Sequence, residues 1–178
     1  MPAYISTRGL SPDLSFADVT LEGLAGDGGL YVPKEWPRLS PAQISSMASA
    51  PYHWVALEVM APFVGADIPA GALADIVKNS YSAFGHPDVL PLHPLEKNLS
   101  VLELFHGPTL AFKDVALQFL GRVFDYILNE RNEEVTIVGA TSGDTGSAAI
   151  EAVKNSARAA VFILHPHARV SEVQRRQM

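Results

Sequence analysis

Cysteine is absent from the 178 residues, which excludes disulfide bonds, thiol catalysis and cysteine-ligated metal sites. Positive charge is also scarce, since 13 lysines and arginines stand against 19 aspartates and glutamates, giving a net charge of −6. A nucleic-acid-binding surface needs a dense basic patch. The chain has no basic run longer than the pair Arg175 and Arg176, so we expect no nucleic-acid partner.

Long hydrophobic runs are missing as well. No apolar run approaches the about 18 residues that suggest a membrane span. Residues 1–4 lack the basic region and apolar stretch that open a secretion signal. We therefore expect no membrane partner and no export, and the lack of cysteine is compatible with the reducing cytoplasm. Hydrophobic residues make up 48% of the chain, which is ample for a packed core.

Residues 1–98 are interpreted as a mostly helical N-terminal domain rich in prolines. Leu73, Ile76, Val77 and Tyr81 share one face of a helix predicted over 69–84. Residues 85–98 carry three prolines and are predicted to be a connector. The remaining expected elements are helices over 15–24, 41–49 and 52–64 and short extended segments over 4–7 and 30–33.

Residues 99–178 are interpreted as the start of an α/β domain. The pattern predicts, in order, strand 100–105, helix 113–129, strand 135–138, helix 145–155 and strand 159–164. Such alternation indicates a parallel sheet with right-handed crossovers. Continuously apolar strands favour burial on both faces of that sheet. A last helix opens after Ser171 with no stop signal before Met178, so we expect more chain to follow in the natural protein.

Two loops occupy the positions where parallel α/β sheets bind ligands, beyond the carboxyl ends of the strands. The first is 105–114 and the second is 139–146. The second is small and rich in hydroxyls, and free N–H groups at a helix start favour an anion such as a carboxylate. The alternative is a plain turn with an N-cap. The loop contains neither a Walker sequence nor GxGxxG.

Lys113 is the unusual residue of the first loop. It is a cation at a predicted helix N-terminus, reached through the mostly apolar segment 108–112. Desolvation and the helix dipole both disfavour the ammonium form, and a neutral lysine amine can form a Schiff base. The alternative is an exposed lysine beside Asp114, whose charge would offset the dipole. The residues by themselves leave both interpretations open.

Several segments resemble the threonine synthase family. The stretch HGPTLAFKD at 106–114 resembles the family's cofactor-lysine motif, and TSGDTG at 141–146 is similar to its second loop. YISTRG at 4–9, GLAGDGGLYVP at 23–33 and residues 169–178 resemble further family segments. The resemblance covers nearly the whole chain.

The resemblance implies a tryptophan-synthase-β type of fold, only partly present here, and a pyridoxal phosphate (PLP) enzyme. Lys113 would hold PLP as a Schiff base and serve as acid and base. The reaction would convert O-phospho-L-homoserine and water to L-threonine and phosphate, the last step of threonine biosynthesis. The substrate carboxylate would be received by Thr141, Ser142, Gly143, Asp144 and Thr145, of which Asp144 and Thr145 would also lie near the cofactor.

Two departures limit this expectation. The family's phosphate cup and its partner for the pyridine nitrogen would lie beyond residue 178, so we expect this chain alone to be inactive and to bind PLP weakly. Many relatives of the fold have Asn where Asp144 stands, and a carboxylate near the PLP phenolate would form a like-charge pair. We expect Asp144 to be protonated or to point away.

Other functions remain open at this stage. One is a threonine-synthase-like phospholyase that releases a keto acid, and another is a non-catalytic relic of the domain. His106 could contact a substrate phosphate, although a hydrogen bond within its loop is the preferred interpretation. No histidine spacing indicates a metal site. The oligomeric state is not indicated.

Overall fold

A computed structural model describes residues 2–178 of the chain. The Cα positions divide into two units, one ending at Val77 and the other comprising Lys78–Met178. The residues after Val77 join the second unit because Ser80 and Tyr81 donate hydrogen bonds to backbone carbonyls of the helix that follows Lys113. The division into domains 1–98 and 99–178 stays a prediction.

The first unit is mostly helical. Strands β1 (Tyr4–Ser6) and β2 (Tyr31–Pro33) pair antiparallel. The helices are α1 (Phe16–Glu22), α2 (Pro41–Met47), α3 (Tyr52–Val64) and α4 (Ala70–Tyr81), the last of which continues into the second unit. The predicted apolar face of α4 is confirmed, because all four of its residues are buried: Leu73, Ile76, Val77 and Tyr81.

Asp27 organises the turn before β2. Its carboxylate accepts hydrogen bonds from the Ser6 hydroxyl and the Gly29 N–H at 2.8 Å, and from the Leu10 N–H at 2.9 Å. Ser11 accepts the Asp27 N–H at 3.1 Å. The Asp27 side chain thus joins β1 to the loop that follows it and to the turn before β2.

The second unit contains an α/β segment built on a parallel pair of strands. Strands β3 (Leu92–Glu96) and β4 (Leu99–Leu102) form a hairpin, and helix α5 (Asp114–Arg131) follows. Strand β5 (Val135–Ala140) pairs parallel with β6 (Ala159–Leu164), with helix α6 (Asp144–Val153) between them. A short helix, α7 (Glu172–Gln177), ends the chain. The α/β class with a parallel sheet is confirmed.

Part of the predicted sheet is wrong. The strand expected over 100–105 ends at Leu102 and pairs antiparallel with residues of the predicted connector, so it is no third parallel strand. The tight turn after Glu96 lets the chain pair locally. Burial on both sheet faces is also not observed: Val138, Phe162 and Leu164 are 67%, 60% and 64% exposed on the face away from the crossover helix.

No helix within residues 2–178 combines the length and the apolar character needed to cross a membrane.

Candidate functional site

The loop before α5 is held by one buried carboxylate. Thr109 donates its backbone N–H to Asp114 Oδ2 and its hydroxyl to Asp114 Oδ1, both at 2.8 Å. Asp114 is 0% exposed. Gly107 lies against the same side chain, and a Cβ at residue 107 would come within 2.5 Å of Asp114 Oδ2. The loop is therefore packed and hydrogen-bonded rather than free.

The position of Lys113 follows from this arrangement. It is the N-cap residue of α5, so the helix begins one residue later than predicted. The alternative of an exposed lysine beside Asp114 is not observed, because Lys113 is half-buried and the buried Asp114 carboxylate accepts both of its hydrogen bonds from Thr109. The Lys113 Nζ lies 4.3 Å from the centre of the Phe112 ring. The lysine side chain is half-buried, as an apolar approach implies.

One cavity joins the two predicted loops. Its volume is about 400 Å³ and it is lined by both Lys113 and Thr145. The remaining lining residues are Leu104, Phe112, Val115, Ala116 and Leu117. The structure therefore brings the motif lysine and the hydroxyl-rich loop to one mostly apolar space.

The second loop turns sharply into α6. Gly143 is the N-cap residue with φ 154°, a conformation that disfavours residues with a Cβ. Thr141 Oγ1 accepts the Gly143 N–H at 3.2 Å, which stabilises the turn. Gly143 O accepts the Gly146 N–H at 2.9 Å. Within residues 2–178, no hydrogen bond engages the N–H groups of Asp144 and Thr145. Such N–H groups at a helix start are suited to an anion.

The predicted carboxylate-binding residues differ in exposure. Ser142, Asp144 and Thr145 are exposed, Thr141 is half-buried and Gly143 is buried. Their backbone N–H groups at the start of α6, rather than a cluster of side chains, are the feature suited to an anion. Asp144 Oδ1 accepts a hydrogen bond from Gln174 Nε2 at 2.5 Å. The carboxylate is thus directed towards α7.

Sequence reasoning missed the glutamines of α7. Gln174 contacts the second loop, and Gln177 Nε2 donates to the Thr109 carbonyl at 3.2 Å. The available signal was the capping pattern from Ser171 to Gln174, which marks a helix start and gives no hint of a distant partner. Sequence reasoning also missed that the Asp114 side chain turns inward.

His106 has a defined partner. Its Nε2 lies 2.7 Å from Glu103 Oε2, and its ring centre is 5.1 Å from that of His86. The hydrogen bond thus goes to a carboxylate that precedes the loop, and not to the loop itself. In the described part of the chain, no group of three or more His, Asp or Glu side chains is arranged to hold a metal ion.

Comparison with known proteins shows which proteins this chain resembles. Residues 3–81 match the family described as "Threonine synthase N terminus". Over 175 residues the chain is 57% identical to the threonine synthase of Pseudomonas aeruginosa, covering 98% of this chain and 37% of that protein. Over nearly its whole length the chain is similar to threonine synthases. It corresponds to the N-terminal portion of the family's proteins.

Solved structures of threonine synthases show the same fold. The crystal structure of PLP-bound threonine synthase from Brucella melitensis matches 100% of this chain with a TM-score of 0.97 and 53% identity. Threonine synthase from yeast matches 99% with a TM-score of 0.93 and 42% identity. The chain spans 37% of the Pseudomonas relative and 38% of each of these two structures.

Proposed function

We propose that the protein carrying this chain is a threonine synthase, a carbon–oxygen lyase that converts O-phospho-L-homoserine and water to L-threonine and phosphate. The observation that carries the proposal is the shared cavity of Lys113 and Thr145, which are distant in sequence. The cavity combines an amine with the start of an anion-binding helix. Relatives at 42–57% identity that carry the name threonine synthase support the same activity.

The donor chemistry of the cavity fits pyridoxal phosphate. The cofactor carries an aldehyde with which a lysine amine can condense, and Lys113 supplies that amine. The apolar lining beside it suits a flat aromatic ring. When bound, PLP accepts the electron pair left by a broken C–H bond. We therefore assign Lys113 as the covalent holder of the cofactor, with Asp144 and Thr145 near its ring.

The second loop is assigned to the substrate carboxylate. The N–H groups of Asp144 and Thr145 lie at the positive end of the ten-residue helix α6. The hydroxyls of Ser142 and Thr145 are exposed and can add hydrogen bonds, while Thr141 and Gly143 hold the turn in place. The loop would orient the substrate through its carboxylate.

Lys113 is also assigned as the acid and base of the reaction. The reaction moves protons at two adjacent substrate carbons, and one flexible amine can serve both. The Asp114–Thr109 contact fixes the backbone from which the lysine side chain extends. Lys113 thus has a fixed backbone and a flexible side chain that carries the amine.

The test uses the complete protein that carries this chain. Reconstitution with PLP is expected to produce the visible absorbance band of lysine-bound cofactor, and borohydride reduction should fix the label on the peptide containing Lys113. Lys113→Ala should lose both. Lys154→Ala is the matched control, since that lysine pairs with Glu151 at the surface. A label on another lysine would refute the assignment.

Product analysis tests the reaction itself. Phosphohomoserine should give L-threonine and phosphate in equal amounts, whereas a keto acid released with the phosphate would identify a phospholyase and contradict the proposal. The 178 residues alone are expected to show no turnover. The cytoplasmic location and the lack of nucleic-acid or membrane partners stay predictions.

A further inference from the structure

We propose that Gln174 is a positioning residue that holds residues 141–147 in their binding shape. These residues, called the carboxylate loop below, are the part of the second loop assigned to the substrate carboxylate and the first turn of α6. Gln174 acts by donating to Asp144 and by covering Gly143. The inference rests on the proposed function, because that function gives the loop its substrate. It adds α7 to the elements that build the site.

One end of the Gln174 carboxamide is engaged by its own helix. Ser171 donates its hydroxyl to Gln174 Oε1 at 2.9 Å and its N–H at 3.4 Å. In return, the Gln174 N–H donates to Ser171 Oγ at 3.3 Å. This is a complete capping box. It fixes which end of the carboxamide faces the helix cap.

The other end must then face the loop. Gln174 Nε2 donates to Asp144 Oδ1 at 2.5 Å, so the carboxamide bridges the cap of α7 and the first residue of α6. Capping boxes accept Glu as well as Gln at this position, and a negative charge is favourable near a helix start. Here a Glu would place a second carboxylate against Asp144. The need for Gln therefore arises from the loop and not from the helix.

Helix α2 provides an internal comparison. Ser40 and Gln43 form the same capping box, with the Ser40 hydroxyl and N–H each 2.9 Å from Gln43 Oε1. Within residues 2–178, no hydrogen bond engages Gln43 Nε2. The two boxes share their helix-capping geometry and differ at the outer end of the carboxamide. This difference isolates the contact with Asp144.

Gly143 adds a steric contact. A Cβ at residue 143 would lie 2.5 Å from both the Cδ and the Nε2 of Gln174. The carboxamide therefore covers the turn that directs the free N–H groups of the loop. Gln174 holds this turn from outside, while Thr141 Oγ1 holds it from within.

Helix α7 also reaches the loop of Lys113. Gln177 Nε2 donates to the Thr109 carbonyl, and Thr109 is the residue fixed by Asp114. The two glutamines of one helical turn thus contact the two loops that share a cavity. We infer that α7 sets the spacing between the cofactor lysine and the carboxylate loop.

Hydrogen exchange of the complete, cofactor-free protein tests the contact without relying on activity. Gln174→Glu should speed exchange in residues 141–147 about tenfold, because a hydrogen bond to a charged group is replaced by repulsion. Gln43→Glu should leave exchange in residues 40–47 unchanged or slower. The proposal would be overturned if the two variants changed the exchange rates of their respective segments equally.

A reversed pair separates positioning from general damage. Combining Gln174→Glu with Asp144→Asn restores a donor and an acceptor across the same gap. Exchange in residues 141–147 should return to within about threefold of the parent protein, given the usual strength of such bonds. Failure of the reversed pair to restore protection would show that the contact does not hold the loop.

Kinetics connect the contact to the substrate. In active parent enzyme, Gln174→Glu should raise KM for phosphohomoserine about tenfold and change kcat less, since the loop binds the substrate carboxylate. An unchanged KM would overturn the inference and leave the proposed function intact. Parent protein without turnover would refute the proposed function, and the exchange experiments would still decide whether Gln174 holds the loop.

Discussion

Thr109 donates two hydrogen bonds, each 2.8 Å long, to the two carboxylate oxygens of Asp114. Asp114 is fully buried and directly follows Lys113 in the chain. The position of the lysine is therefore fixed by the residue after it and by a residue four positions before it. Burying a carboxylate is costly unless it is hydrogen-bonded, and Thr109 supplies one donor to each oxygen.

Replacing this carboxylate should loosen the loop. Asp114→Asn keeps one acceptor and turns an amide donor towards one of the two Thr109 donors. We expect a loss of about 1.5–3 kcal/mol in the free energy of unfolding, typical of a hydrogen bond to a charged group. Urea denaturation measures it. Thr109→Ser keeps the hydroxyl and should lose less stability than Thr109→Val; equal losses would contradict the role of the hydroxyl.

Gly107 tests the packing against the same side chain. Gly107→Ala would force its Cβ into the Asp114 side chain and should destabilise by about 1–3 kcal/mol. Gly71→Ala is the control, because it lies in α4 with nothing within 4 Å of the new Cβ. It should stabilise by about 0.5–1 kcal/mol through lower chain entropy. Thermal unfolding of both variants should show opposite shifts.

Leu110 carries backbone strain in the lysine loop. Its φ is 62°, in the left-handed region, and its side chain is 68% exposed. Leu110→Gly should stabilise the chain by about 0.5–1 kcal/mol, because the steric cost of a Cβ exceeds the added entropy of glycine. Leu110→Ala retains the Cβ and should show no gain in denaturant midpoint. A gain from alanine would point to the exposed side chain instead.

Asp27 makes the first unit sensitive to acid. Burial acts to raise its pKa, but hydrogen bonds with Ser6, Gly29, Leu10 and Ser11 outweigh this and hold the pKa below its usual value. A carboxyl with a lowered folded-state pKa stabilises the fold above its unfolded pKa, and this contribution is lost as the pH falls through the folded value. Asp27→Asn should therefore lower the melting temperature at about pH 7, and the difference from the parent should shrink as the pH falls below the ordinary aspartate pKa of about 3.9. A difference independent of pH would contradict this.

Local patterns predicted most of the elements. The apolar spacing in α4 identified its buried face, and short apolar runs located β5 and β6. The same patterns could not determine strand partners: residues 99–102 give no indication of whether they pair with a neighbour in sequence or with a distant strand. Pairing depends on the turn after Glu96 and on tertiary context.

The candidate site was only partly accessible from the sequence. The family motif identified Lys113, and the glycine and hydroxyl content identified the loop after β5. The contacts of Gln174 with Asp144 and of Gln177 with Thr109 span 30 and 68 residues and follow no local period. The inward orientation of Asp114 could not be predicted, because adjacency to Lys113 in the sequence does not show which side chain turns inward.

The uncovered face of the β5–β6 sheet determines how these 178 residues behave as a separate polypeptide. Three large apolar side chains, Val138, Phe162 and Leu164, project into water from adjacent parallel strands. Such a patch favours self-association, which a net charge of −6 opposes. Light scattering should therefore rise with protein concentration and with salt, and a dye that fluoresces in apolar surroundings should bind the isolated chain.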